Sequence, residues 1–139
     1  MADPALMRIS LNIVRPAENM LRNPEAAQFF SALQAHSDVA GELFASLKKL
    51  GEYERRGGGA DFAAPYIVTA GLVFCGAAGM SETYWRLRAT DLEVAIACGA
   101  VPAPIGPEWV SITLFRINWP KPDLPFWALR AYDYARTGR

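Results

Sequence analysis

His36 is the single histidine of this chain, and therefore the one side chain whose ordinary pKa lies near neutrality. It falls between Leu33 and Ala40 on what reads as the apolar stripe of a helical segment. An imidazole there could act as a base or as a polar contact in a pocket, with Tyr84 and Arg86 as the further polar side chains such a pocket would draw on. Nucleophilic catalysis requires a Ser, Cys or carboxylate beside the base, and no such partner can be placed beside His36 in space from the sequence. The plainer expectation is a histidine at a helix C-terminus, bonded to the last carbonyls.

Other reactive residue types lack the spacing their chemistry needs. The run Gly76-Ala-Ala-Gly79-Met-Ser81-Glu82 follows an apolar stretch, as phosphate-cradling loops follow strands. It matches neither G-x-G-x-x-G nor G-x-x-x-x-G-K-[ST], and Tyr84-Trp-Arg-Leu-Arg88 after it looks like a strand. A hairpin loop is the better reading. Ser81 has no G-x-S-x-G setting. One histidine and two separated cysteines give no zinc pattern, and no acidic loop resembles a calcium site, so no metal and no cofactor is expected. Glu52 and Glu54 sit in a Gly-rich segment, and Asp91 and Glu93 at a helix start; both pairs have ordinary explanations.

Aromatic residues are the least ordinary feature. Trp109, Trp119, Phe126, Trp127, Tyr132 and Tyr134 crowd the C-terminal part of the chain beside Arg116, Arg130 and Arg136. Trp, Tyr and Arg are enriched where binding energy concentrates in protein interfaces. Trp109, Phe115, Trp119, Trp127 and Arg130 are accordingly the candidate interface residues, with core packing as the alternative, above all for Trp127.

Composition narrows the classes. With 139 residues, 52% hydrophobic and 20% charged, the chain suits one domain with a real core. Basic and acidic residues number 14 each, so nothing announces the basic face that nucleic-acid binding needs. Cys75 and Cys98 lie in apolar runs and read as small buried hydrophobes. The first residues lack the features of a signal peptide, so a reducing, cytoplasmic setting is expected, with residues 1–7 a loose leader. Phe62 to Ser81 carries no charge and has the length of a bilayer span. Pro65, Gly71, Gly76 and Gly79 interrupt it, and Tyr66 to Cys75 has the length and composition of a buried strand.

The elements that must position these residues follow from periodicity and end signals. Arg8 to Val14 alternates as a half-buried strand. Asn23-Pro24-Glu25 starts a helix, running as one segment or as two, 24–36 and 38–50. Residues 52–61 read as a flexible Gly-rich loop, Tyr66–Cys75 as a central strand, and Thr83–Arg88 as its antiparallel return. Thr90 and Glu93 form a capping box for a short helix that Gly99 stops. Ala100–Pro107 is an irregular loop, Trp109–Ile117 a strand, and 124–137 a last helix. The order β-α-β-β-α-β predicts an α+β, ferredoxin-like antiparallel sheet with helices on one face. The expected function is that of a non-enzymatic protein acting through protein–protein interaction: an accessory subunit, an inhibitor or an immunity-type binder, or a homodimer. The alternative is a small-ligand protein or cofactor-free enzyme with a pocket around His36.

Overall fold

The computed structural model describes residues 20–138. The strand expected at 8–14 and the leader before it lie outside them. The first helix, α1 (Pro24–Ser31), opens on Pro24 as the sequence suggests. Asn23 precedes it, but its side chain makes no cap. The buried carboxamide instead donates to the Val73 carbonyl (2.9 Å) and accepts from the Val73 N–H (2.8 Å), as a neighbouring strand would.

The chain then leaves the helical path. Residues 33–36 run extended between two partners: Ala35 N–H donates to Phe62 O and Ala64 N–H to Leu33 O on one side. On the other, Gly79 N–H donates to Gln34 O and His36 N–H to Gly79 O. This pairing ends α1 at Ser31, short of the expected 36, and makes His36 the residue before α2 (Ser37–Ser46). Val39, Leu43 and Leu47 carry the buried stripe.

Six antiparallel strands follow: β1 (Glu54–Gly57), β2 (Pro65–Thr69), β3 (Leu72–Ala78), β4 (Glu82–Arg86), β5 (Val101–Pro102) and β6 (Trp109–Thr113). They lie in the order β1-β2-β3-β4-β6-β5, so β1 and β5 form the edges among the described strands. Three sequence expectations change here. The 52–61 segment is not all loop, because Glu54–Gly57 pairs with Val68–Pro65. The stretch read as one strand, Tyr66–Cys75, is a hairpin. Its turn is Ala70-Gly71, both at positive φ (53° and 77°), the two-residue turn whose twist suits a hairpin. The described pairs do not show the ferredoxin-like order, in which the 8–14 strand would separate the two strands that here pair directly, Glu82–Arg86 with Thr113–Trp109.

An L-residue other than Asn or Asp is strained at Ala70. Ala70→Asn is therefore expected to stabilise the protein by about 0.5–1 kcal/mol, read as a higher urea midpoint at unchanged slope. A lower midpoint would show that the turn carries no such strain.

All seven residues of β3 are buried, which requires cover on both faces. Tyr66, Gly76, Tyr84 and Ser111 form one cross-strand row, and Phe30 of α1 seats its ring over Gly76. It stacks with Tyr66 at 5.9 Å and meets Tyr84 and Trp109 edge-on at 5.6 and 6.2 Å. The adjoining row, Cys75, Trp85 and Val110, points the other way and is fully buried. There the Trp85 indole donates to Thr83 Oγ1 (2.9 Å), whose hydroxyl donates to Ile112 O (2.8 Å). Ile112 lines one cavity with Ala95 of α3 (Ala89–Ala97) and Trp127 of α4 (Leu124–Thr137). Helices thus cover both faces rather than the one expected.

Helix α3 begins a residue too early for the expected box: Arg88 precedes it, no side chain caps it, and Thr90 lies exposed in its first turn. Helix α4 matches its expected span. Asp123 Oδ1 accepts the Phe126 N–H at its start, and Gly138 closes it in the left-handed region (φ 69°).

Candidate functional site

Strand β6 stops at Thr113, four residues short of its expected end, because the chain turns sharply at Phe115 (φ 61°) and Asn118 (φ 65°). A phenylalanine in the left-handed region costs about 1–2 kcal/mol. The turn leaves the Phe115 side chain 58% exposed and Trp119 52% exposed. Trp119 lies beside Gly99, where a Cβ would stand 3.4 Å from Cζ3, and the Arg116 guanidinium covers its ring at 3.8 Å.

These residues form the lip of an open cleft of about 790 Å3. Ile112 lines it from β6 and Leu114 from just beyond, Val94 and Ala95 from α3 and Cys98 from its C-cap, and Phe126 and Trp127 from α4. Its size falls in the range of small-molecule sites, and its mostly apolar walls with few polar groups fit that type. Glu42 of α2 reaches across to Lys121 at 3.2 Å. Asp123, also on the wall, is held at the N-terminus of α4 by the Phe126 N–H, where the helix dipole favours a negative charge.

The two cysteines separate. Cys98 is exposed on the cleft wall, while Cys75 is buried, and burial pushes its thiol well above the ordinary range. A disulfide-exchange reagent is expected to find one fast thiol per native chain and the second only on unfolding. Two fast thiols in the native protein would show that the sheet interior is open to solvent.

The candidate residues read from sequence are distributed unevenly. Phe115, Trp119 and Trp127 come together in the cleft, and Arg130 adjoins it by lying over the Phe126 ring at 5.1 Å. Trp109 does not join them. It is 4% exposed and packs with Phe30 on the opposite face of the sheet. Tyr84 packs edge-on against Phe29 and Phe30, and burial raises its hydroxyl pKa, with Glu82 adding to the effect. Arg86 donates to Glu108 Oε1 (2.8 Å) and lies over the Tyr134 ring. The Tyr134 hydroxyl donates to Glu108 Oε2, and this bond raises its pKa, with burial a lesser cause. Neither Tyr84 nor Arg86 lines the cleft.

His36 borders a shallower depression that shares Phe115 and Arg116 with the cleft. It does not close a helix, as expected, but caps the start of α2: its Nδ1 accepts the Asp38 N–H at 3.0 Å. That lone pair is engaged by the backbone, and the Asp38 carboxylate stands 3.7 Å from the same nitrogen. Among the described residues no group of three or more His, Cys, Asp or Glu is placed to hold a metal ion. None of their helices is long and apolar enough to cross a membrane.

Sequence reasoning missed the α3 wall and Glu42. A signal for the wall exists in Leu92-Glu-Val94-Ala-Ile96-Ala, which is apolar on more than one side of a helix. Such a helix is expected to have cover beyond its core face, yet Val94 and Ile96 are exposed. No family model matches the chain, and no curated protein or solved structure does either.

Proposed function

We propose that this is a non-enzymatic binding protein that buries an apolar group of its partner in the cleft between β6, α3 and α4. The observation that carries this reading is the concentration of exposed aromatic surface around one concavity: Phe115, Trp119 and Phe126 all stand at the cleft. Isolated exposed apolar residues need no explanation, but a contiguous apolar patch marks an interaction site. The strained backbone at Phe115 (φ 61°) supports it as well, since backbone strain persists where a site requires it. An accessory, inhibitory or immunity-type role, and pairing with a second copy, fit the same surface. A catalytic pocket at His36 is less well supported, because its Nδ1 serves as a helix cap. A reducing cytoplasmic setting suits Cys75 and Cys98, both free and one of them exposed.

Nile red, a neutral apolar dye, provides the test. Its fluorescence should rise on addition of the protein, and Trp119→Ala combined with Phe115→Ser should weaken the binding at least tenfold. Leu129→Ser, at an exposed position outside the cleft, should leave it unchanged. No binding by the parent chain, or equal loss in both variants, would refute the cleft as the binding surface.

A further inference from the structure

We infer that the cleft takes an amphipathic monocarboxylate, with an apolar chain or ring system seated between α3 and α4 and its carboxylate held by Arg116. The inference rests on the cleft being the binding site proposed above and names the class of ligand it admits. Val94, Ala95, Ile112, Leu114, Phe126 and Trp127 offer the body of such a ligand apolar contact. An open cleft of about 790 Å3 has room for a chain of roughly a dozen carbons or a ring system of similar size.

The charges lining the cleft select the head group. They are Glu42, Arg116, Lys121 and Asp123. Lys121 is matched by Glu42 at 3.2 Å, and Asp123 is matched by the N-terminus of α4. Arg116 differs: among the described residues no carboxylate lies within ion-pair distance of it, and its neighbour is the Trp119 ring. A guanidinium carries five N–H donors in one plane, and contact with a single ring leaves donors on its edge to engage a carboxylate bidentately. One unmatched cation calls for a single negative charge. A phosphate would bring more charge to a cleft whose one helix N-terminus is already filled by Asp123.

Cys98 stands on the cleft wall, so its alkylation by iodoacetamide reports occupancy in the native chain, with buried Cys75 as the internal control. The probes are dodecanoate, dodecanol and dodecyltrimethylammonium, each below its micelle concentration. Dodecanoate should protect Cys98 at concentrations at least tenfold lower than dodecanol, and the cationic chain should protect least. Arg116 is exposed, so Arg116→Met should fold normally, keep the protection by dodecanol and lose the tenfold preference. Arg116→Lys should retain part of it. Equal protection by all three chains, or a preference that survives Arg116→Met, would overturn the inference. A peptide with a hydrophobic C-terminal residue that protects better than dodecanoate would overturn it too, in favour of a protein ligand. If Nile red binds but the anion gains nothing over the alcohol, only the ligand class fails. If neither the dye nor any chain reaches the cleft, the binding reading fails with it.

Discussion

Gly76→Ala is expected to lower the stability of the fold by about 3 kcal/mol, the upper part of the range for overpacked cores. The added Cβ would stand 2.5 Å from Cε1 and Cζ of Phe30 and 2.9 Å from Cε2, closer than real carbon contacts allow. A ring at a surface could swing aside, but Phe30 is fully buried and held between Tyr66, Tyr84 and Trp109. The only relief is to lift α1 from the sheet. The urea midpoint measures the loss. Phe30→Leu in the same chain should recover part of it, so that the double variant is more stable than the sum of the single losses implies. A loss below about 0.5 kcal/mol for the single change, the level of an ordinary surface substitution, would show that Phe30 is not locked over Gly76.

Asn23→Leu should be comparably severe, at about 4 kcal/mol. The change keeps the side-chain volume and strips both hydrogen bonds to Val73, leaving a buried N–H and a buried carbonyl unmatched at about 1–3 kcal/mol each. Asn23→Asp separates the two bonds. Its carboxylate can still accept from the Val73 N–H but sets a negative oxygen against the Val73 carbonyl. A protonated carboxyl regains the donor, so the deficit of Asn23→Asp relative to the parent should shrink as pH falls. Denaturation curves at neutral and acid pH read this directly. A leucine variant as stable as the parent would mean that solvent satisfies Val73 without Asn23.

Both sites show what local reasoning could and could not reach. Helix α4 was legible because its signals are local: Asp123 and Pro125 at the start, Gly138 just past the end. The β4 strand and the division of the first helical region into two were legible on similar grounds. The hairpin within Phe62–Ser81 was not. Its turn is Ala70-Gly71 rather than a dipeptide rich in Asn or Asp, and strands buried on both faces do not alternate. Asn23 looked like a helix cap from its neighbours, while its partner lies 50 residues away at Val73. The end of α1 was likewise set from afar, by Phe62, Ala64 and Gly79 pairing with residues 33–36.

The cleft divides in the same manner. Phe115, Trp119 and Trp127 stood out by residue type. Which aromatics would meet was decided by alternation on β6, which puts Trp109 on one face of the sheet, and by the break at Phe115, which takes Trp119 to the rim beyond the other. The opposite wall comes from α3, whose approach to α4 no short window of sequence contains.

The placement of the uncharged run in the sheet bears on how the chain behaves at high concentration. Tyr66 to Cys75 within it is uncharged, free of proline and rich in β-formers, the kind of segment that stacks into fibrils when its strands meet other chains. In the fold the run supplies β2 and β3, which have neighbours on both sides. The outermost described strands are poor templates: β1 reads Glu-Arg-Arg-Gly, and β5 is two residues long and ends in Pro102. Charge, brevity and proline all discourage edge-to-edge growth. Aggregation should therefore track the unfolded fraction rather than the total concentration, and Gly76→Ala or Asn23→Leu should precipitate at temperatures where the parent chain stays clear.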